Sequence, residues 1–228
     1  MSVKRYTMPK NWPIERKVHK FIVKTSPGPH AKKASIPLGL FLRDIMKFAM
    51  NMKEARQILN KKLVKVDNIV RKDRRFPVGI MDVISVGDDH FHILPKKNGF
   101  DFKKTKNNNT KLLKIKDKTT LKKNKTQLNF YNGCNLLVDN NDYKPGDTLV
   151  IDIDNNSIKQ HLKMQEGSFV IIIEGKNVGT TGKIKKPIET PGSQKSIMII
   201  ESNDKDIVVP KNYLYVIGED KPLIGADV

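Results

Sequence analysis

The sequence predicts a multidomain α+β protein that begins with a small helix-and-hairpin module and continues into β-rich segments. Three observations support this fold class. Apolar residues recur with a helical period near residue 40, short apolar runs separated by turn residues fill the second half, and basic residues are concentrated towards the N-terminus. We expect an N-terminal extension over 1–36, the helix-and-hairpin module over 37–95, a central small β domain over 96–165 and a small barrel with a tail over 166–228.

The helix-and-hairpin module is predicted to start with two helices. Apolar residues at i, i+3, i+4 and i+7 spacing define one face of a helix over Leu38–Ala49. A second helix is expected over Lys53–Lys61, with its basic residues left for solvent or a ligand. Asn51 before this helix and Glu54 three residues later have the spacing of an N-terminal capping box.

Short strands are predicted over Val64–Val70 and Met81–Val86, on either side of a basic loop. The first stretch reads as a hairpin whose turn, Asp67-Asn68, consists of residue types that tolerate the positive φ of a tight turn. The loop that follows this hairpin carries four cations, which are Arg71, Lys72, Arg74 and Arg75.

Residues 1–36 have the composition of a basic extension. Prolines are frequent and apolar residues show little period, so we expect an extended or turned segment. Trp12, Ile14, Phe21 and Ile22 indicate a segment that becomes ordered on a partner, and cations interleaved with an aromatic residue suit nucleic acid. A disordered basic tail is the alternative.

The second half of the chain is predicted to be β-rich. Residues 96–125 are rich in Lys, Asn and Thr, and Asn107-Asn108-Asn109 predicts a turn or flexible loop. Between 127 and 153, short apolar runs separated by turn residues predict a small β domain. Phe169–Ile173 begins a last set of short strands, with a turn at Pro191-Gly192, and this pattern favours a small barrel.

The net charge of +19 is distributed unevenly. Residues 1–75 hold 20 basic and 5 acidic residues, a net charge of +15, and residues 96–125 hold 12 Lys and 2 Asp, a net charge of +10. From residue 126 onwards the net charge is −3. All seven arginines lie in the first 75 residues, and the planar guanidinium suits phosphate binding and stacking on bases. The distribution therefore predicts a polyanionic partner with an N-terminal footprint.

The candidate nucleic-acid-binding residues lie in the extension, the two helices, the hairpin and the basic loop. They are Lys10, Trp12, Arg16, Lys17, His30, Lys32, Lys33, Arg43, Lys47, Lys53, Arg56, Gln57, Lys61, Lys62, Lys65, Arg71, Lys72, Arg74 and Arg75. A solvated basic face is the simpler explanation for any one of them, but together they exceed what solubility requires.

No catalytic, metal or cofactor site is predicted. His90-x-His92 on a strand would direct both rings to one face, yet no cysteine or carboxylate constellation accompanies the pair. Gly175-x-x-x-Gly179-x-x-Gly182 lacks the Gly-Lys-Ser/Thr ending of a phosphate loop, so we expect these glycines in turns.

The compartment is predicted from cysteine usage and hydropathy. Cys134 is the single cysteine, which excludes an internal disulfide and favours a reducing compartment. No apolar run approaches the ~20 residues of a membrane span, and no apolar segment follows the basic N-terminus as in a secretory signal. We expect a soluble cytoplasmic protein with no membrane partner.

Several motifs resemble a known family. Glu54-Ala55-Arg56-Gln57-Ile58-Leu59, followed by Leu63–Val70, is similar to the small RNA-binding fold first named for ribosomal protein S-four. Pseudouridine synthases, tyrosyl-tRNA synthetases and heat-shock RNA binders carry the same module. Ser26-Pro27-Gly28-Pro29-His30 and Gly79-Ile80-Met81-Asp82-Val83-Ile84 closely resemble the archaeal and eukaryotic "e" family of small-subunit ribosomal protein four. Gly167–Gly182 is similar to the KOW motif.

This resemblance implies a basic extension, an alpha-L RNA-binding module, a central β domain and a C-terminal SH3-like KOW β-barrel, in a chain whose length suits an archaeal member. It implies small-subunit ribosomal RNA and neighbouring small-subunit ribosomal proteins as partners, with no small-molecule substrate and no cofactor. Two alternatives remain: a stand-alone RNA-modifying enzyme and a KOW-type transcription or translation factor. The first would need a catalytic Asp in an appended large domain, and the second would expose an apolar docking patch.

Overall fold

The structure, a computed structural model of the protein, describes residues 2–105, 109–122, 125–139, 142–188, 196–202, 205–219 and 221–223. The chain divides into two compact units. Unit 1 comprises Met1–Leu94 and Asn98–Lys111, and unit 2 comprises Pro95–Lys97 and Leu112–Val228. The predicted extension and nearly all of the helix-and-hairpin module fall in unit 1, and the predicted barrel falls in unit 2.

Unit 1 combines two short helices with small sheets. Its strands are β1 (Ser2–Lys4), β2 (Phe21–Val23), β3 (Ser35–Pro37), β4 (Val64–Val66), β5 (Ile69–Val70), β6 (Pro77–Gly79), β7 (Val83–Val86), β8 (Asp89–Lys96) and β9 (Gly99–Thr105). Strand β1 pairs with β2 and β3 pairs with β6, both antiparallel. The remaining strands form a five-stranded sheet in the order β5-β4-β7-β8-β9, in which the β4–β5 hairpin supplies one edge.

The first helix is shorter than the sequence predicts. Helical backbone begins as α1 (Leu38–Leu40) and continues as a wider π-helical turn over Phe41–Ile45. The Met46 N–H donates to the Phe41 carbonyl over 2.9 Å, which closes that turn. Lys47 has φ of 57°, and this left-handed conformation ends the helix before the predicted boundary at Ala49.

The second helix, α2 (Met52–Asn60), agrees with the prediction to within one residue at each end. The Asn51 side-chain oxygen accepts from the backbone N–H groups of Lys53 and Glu54, both over 2.9 Å, so the predicted cap is confirmed. The Glu54 carboxylate accepts from the Met50 backbone N–H over 2.8 Å, one residue upstream of the position that a standard capping box uses.

The N-terminal segment belongs to the core of unit 1, which corrects the expectation of an extension that becomes ordered only on a partner. Met8, Trp12 and Ile22 are buried in the same apolar cluster as the helices. The Trp12 indole N–H donates to the Ser35 carbonyl over 2.8 Å. Burial of these three large side chains removes apolar surface from water and holds residues 2–36 on the module.

Unit 2 is built of two five-stranded sheets. Its strands are β10 (Thr110–Thr120, which begins in unit 1), β11 (Thr126–Phe130), β12 (Asn135–Val138), β13 (Thr148–Asp152), β14 (Ile158–Leu162), β15 (Phe169–Ile172), β16 (Thr181–Ile188), β17 (Ile197–Ser202), β18 (Lys205–Pro210) and β19 (Leu214–Gly218). The sheet orders are β12-β11-β10-β13-β14 and β18-β17-β16-β15-β19.

The structure is therefore a β-rich multidomain fold, as the second half of the sequence predicts. The strands expected between 127 and 153 are present as β11, β12 and β13, around buried Leu128 and Leu149. Residues 96–125 contain the long strands β9 and β10, although their alternation in the sequence is weak. The predicted loop residues Asn107 and Asn108 and the predicted Pro191-Gly192 turn lie outside the described residues.

Candidate nucleic-acid interface

Helix α2 separates an apolar face from a basic one. Ala55 and Leu59 are fully buried, which fixes the rotation of the helix on the core of unit 1. The opposite face is exposed to solvent and carries Lys53, Arg56 and Gln57, and the exposed Lys61 follows as the C-cap residue. The sequence predicts all four of these residues as RNA-binding positions, and the structure places them on the exposed side of α2 and at its C-cap.

The β4–β5 hairpin and the loop after it extend this basic surface. Asp67 and Asn68 have φ of 49° and 57°, so both adopt the left-handed conformation that the sequence predicts for the turn. Lys65 is exposed on β4. The Arg71 backbone N–H donates to the Val64 carbonyl over 3.2 Å, which fixes the start of the basic loop against the hairpin.

The basic loop is held by contacts on both sides. The Arg71 guanidinium carbon lies 4.4 Å from the centroid of the Phe76 ring, a cation–π contact. The Arg74 carbonyl accepts from the Gly39 N–H over 2.8 Å, so the loop packs on the start of α1. The Arg75 side chain donates through Nε to the Lys24 carbonyl over 3.3 Å. Lys72 is exposed.

The other predicted cations divide into exposed and internally bonded groups. The exposed ones are Lys10, Lys17, Lys32, Lys33, Lys47 and Lys62. Arg16 is half-buried and donates to the Tyr6 and Met8 carbonyls over 3.1 and 3.2 Å. Arg43 is half-buried and pairs with Asp44, with Nη2 2.9 Å from Oδ2. These two arginines are partly engaged by the fold, so the exposed lysines are the more available phosphate ligands.

Two of the predicted site residues are buried in unit 1. Trp12 is 3% exposed and His30 is 7% exposed, so neither side chain is available for direct contact with RNA. The prediction for Trp12 follows from residue type, because aromatic side chains commonly stack on bases. In the structure they anchor the N-terminal segment instead: Trp12 bonds to the Ser35 carbonyl, and His30 Nε2 lies 2.8 Å from Asp82 Oδ2.

Unit 1 also contains a buried ionic network that the sequence does not predict. The Lys111 ammonium donates to Asp67 Oδ2 over 2.5 Å and to Asp82 Oδ1 over 2.6 Å. Asp82 also accepts from the Gly79 N–H over 2.8 Å and contacts His30 through the same oxygen. One ammonium thus joins the hairpin turn, the strand β7 region and, through Asp82, the N-terminal segment.

The electrostatics of this network favour the charged forms of Asp82 and Lys111. Burial by itself would raise the pKa of Asp82, but the charge of Lys111 and the contact with His30 outweigh it and hold that pKa well below its ordinary value. Burial would lower the pKa of Lys111, but the two carboxylates raise it above the ordinary lysine value. Asp82 and Lys111 are therefore ionised at neutral pH, whereas at Asp67 the effect of burial exceeds that of the Lys111 charge and raises the pKa of the carboxyl.

Other candidate sites do not gain support as ligand sites. His90 Nδ1 lies 2.8 Å from the Ser85 hydroxyl, and His92 is buried. Within the described ranges, no three His, Cys, Asp or Glu side chains come together as metal ligands. Gly175 and Gly179 have φ of 96° and 86°, which confirms the predicted turns at these two positions, whereas the predicted turn at Gly182 is wrong because this residue lies in strand β16. None of the helices that the structure describes is long and apolar enough to cross a membrane.

Unit 2 contains a buried lysine, Lys114 on β10, whose pKa is shifted in the opposite direction to that of Lys111. Its ammonium donates to the Asn212 carbonyl over 2.6 Å, and burial lowers its pKa to about 8, an effect that the nearby Glu174 only partly offsets. The unfolded chain retains this proton up to about pH 10.5, so between these values the folded chain binds fewer protons and its stability rises with pH.

We expect the free energy of unfolding of unit 2 to rise by about 2 kcal/mol between pH 8 and pH 10 from Lys114 alone. Above this window Tyr131 opposes the rise, because burial and its hydrogen bond to Glu174 raise the pKa of its hydroxyl. Denaturant unfolding of the wild type and of Lys114→Met at both pH values measures the effect. An equal rise in the variant would contradict it.

Comparisons with known proteins agree with this architecture. The family model described as Ribosomal family S4e matches residues 87–158, and the one described as RS4NT (NUC023) domain matches residues 2–33. The small ribosomal subunit protein eS4 of Methanosphaera stadtmanae is 41% identical over 228 residues, which cover 98% of this chain and 94% of that protein. The chain belongs to the S4e family.

Further S4e proteins align over nearly their whole length. The small ribosomal subunit protein eS4 of Methanocaldococcus jannaschii is 38% identical over 234 residues, covering 97% of this chain and 96% of that protein. The crystal structure of the 30S ribosomal protein S4e from Thermoplasma acidophilum matches with a TM-score of 0.72 at 28% identity, covering 82% of this chain and 96% of that one. The resemblance predicted from the motifs is confirmed.

Proposed function

We propose that this chain is a structural constituent of the small ribosomal subunit that binds ribosomal RNA through the basic surface of unit 1. The observation that carries the proposal is the outer face of α2 with its C-cap, where Lys53, Arg56 and Lys61 are exposed while Ala55 and Leu59 on the other face are fully buried. Membership of the S4e family supports it, because its relatives are named as small-subunit ribosomal proteins.

The proposed mechanism is recognition and not catalysis. Exposed lysines and arginines neutralise RNA phosphates and release condensed counterions, so affinity falls steeply with salt. Sequence and shape specificity come from folded RNA with accessible bases, on which guanidinium groups stack. The candidate interface residues are those of the predicted set that lie on the surface; Trp12 and His30 act through the fold.

We propose that the finer domain assignment follows the family. Unit 1 holds the basic N-terminal segment (1–36) and the alpha-L RNA-binding module (37–95), and unit 2 holds the greater part of the central β domain (96–165) and the SH3-like KOW barrel (166–228). Support comes from the two-helix and hairpin arrangement after Leu38 and from the glycine turns that connect β15 and β16. The partners are small-subunit ribosomal RNA and neighbouring ribosomal proteins, and the place of action is the cytoplasmic ribosome.

Sucrose-gradient sedimentation of a lysate tests this function. At low salt we expect the protein in the small-subunit fractions at about one copy per subunit, and a high-salt wash should release it in part because the contacts are ionic. A small-subunit protein and a non-ribosomal enzyme serve as markers for the two positions. Recovery of the protein only at the top of a low-salt gradient would exclude the ribosomal role.

A further inference from the structure

We propose that a recess on unit 1 holds one unstacked nucleotide of the bound RNA, an inference that rests on the RNA-binding function proposed above. The recess lies where the end of α2 meets the basic loop and has a volume of about 580 Å³. This volume is within the range of about 300–1,000 Å³ that is typical of small-ligand sites. Its lining residues are Lys62, Val70, Arg71, Lys72, Asp73 and Phe76.

The recess offers groups that recognise a flat base. The Arg71 guanidinium lies 4.4 Å from the Phe76 ring centroid, and both groups line the recess. Unstacked RNA bases are bound on aromatic rings and on guanidinium planes, and Arg71 is held by the Phe76 ring before any ligand enters. Val70, which is 37% exposed, adds an apolar contact beside them.

The charge of the recess selects a nucleotide over an apolar peptide. Lys62, Arg71 and Lys72 contribute three cations to its lining. Asp73 is the one acid there among the described residues, and its oxygens accept from the Arg75 backbone N–H over 2.9 Å and from the Ser26 hydroxyl over 3.2 Å. Its carboxylate is therefore bonded to the protein, and the remaining cations suit the phosphate of a single nucleotide.

Lys62 occupies a backbone position that favours glycine. Its φ is 61°, and its N–H donates to the Leu59 carbonyl over 3.1 Å, so it is the left-handed residue after the end of α2. A side chain in this conformation is unfavourable relative to glycine. Lysine at this position therefore costs backbone strain that glycine would avoid, and it adds a cation to the lining of the recess.

The first test of the recess replaces Arg71 and compares the result with the same replacement at another arginine. Arg71→Lys keeps the charge but removes the planar group, and we expect it to weaken binding of a small-subunit rRNA transcript by about 5- to 150-fold, the range for loss of one stacked base. The matched control is Arg56→Lys on the exposed face of α2, where a point charge suffices for phosphate, and it should change the affinity by less than about threefold.

Lys62→Gly separates binding from stability. We expect it to leave the thermal midpoint unchanged or higher, because glycine accepts the left-handed backbone, while it weakens RNA binding and lowers the slope of log affinity against log salt by about one. Ultraviolet cross-linking of the wild-type complex, followed by peptide mass spectrometry, should give a nucleotide adduct on a peptide that contains residues 70–76.

The outcomes distinguish this inference from the proposed function. If the wild type binds the transcript but Arg71→Lys and Lys62→Gly bind equally well and no adduct maps to residues 70–76, the nucleotide recess is excluded while the RNA-binding function stands. If the wild type does not bind the transcript at any salt concentration, both proposals fail. A loss of affinity in Lys62→Gly that is matched by a lower thermal midpoint would also contradict the binding role.

Discussion

Replacing Lys111 with methionine is expected to lower the free energy of unfolding of unit 1 by about 3–5 kcal/mol. The Lys111 side chain is 6% exposed, and its ammonium lies 2.5 Å from Asp67 and 2.6 Å from Asp82. Methionine is similar in length and apolar, so the substitution removes the charge with little change in volume. The two carboxylates then remain in the protein without their shared cation, and the cost is their desolvation without compensation.

Denaturant unfolding at neutral pH measures this loss, and Lys114→Met provides the matched control. Lys114 is buried on the same strand, but burial lowers its pKa, so its charge is poorly compensated. The same substitution there should cost less than about 1.5 kcal/mol, the value of the hydrogen bond to the Asn212 carbonyl. Equal losses in the two variants would show that the Lys111 network does not stabilise unit 1 specifically.

The Lys111 network also has a defined pH dependence. Because the pKa of Asp82 is held below its ordinary value in the folded state, its contribution to stability is complete above about pH 4 and is lost as the pH falls below that value. The raised pKa of Lys111 has the opposite consequence at the alkaline end: its contribution is complete below about pH 10 and declines above it. At neutral pH both Asp82 and Lys111 therefore make their full contribution to stability.

The parts of unit 1 that the sequence predicts well are those determined by neighbouring residues. The cap of α2 depends on Asn51 and the first turn after it, and the hairpin turn depends on two residues that tolerate positive φ. Both features are readable because their physical cause lies within a few positions of the effect. The exposure of Arg56 and Lys61 follows from the same helical period.

The parts that the sequence does not predict depend on contacts between distant positions. Lys111 stands in a lysine-rich stretch that resembles a solvated face, and only the fold brings it to Asp67 and Asp82, 44 and 29 residues earlier. Burial of Trp12 and His30 has the same origin, because their partners Ser35 and Asp82 lie far along the chain. Trp12 and His30 are predicted to contact RNA, but tertiary packing buries both and makes their role structural.

Reversing two charges on α2, with Lys53→Glu and Arg56→Glu together, is expected to weaken binding of small-subunit rRNA on the order of 100-fold at low salt. The slope of log affinity against log salt should fall by about two, because two phosphate contacts are lost. Both side chains are exposed, and a glutamate at position 53 lies in the first turn of the helix, where a negative charge is favourable. The variant should therefore fold normally, and filter binding over a salt series measures the effect.

The control must change the net charge by the same amount at another surface. Lys163→Glu with Lys176→Glu does this on unit 2, where both lysines are exposed. Charges outside the interface act on RNA only through the screened long-range field, so this variant should lose less than about threefold in affinity at physiological salt. If both double variants lose affinity equally, net charge alone governs binding and α2 is not the interface. If only the α2 variant loses affinity, the positions of the cations determine the affinity for RNA. The rotation of α2, fixed by its buried face, then accounts for the presentation of those cations to the RNA.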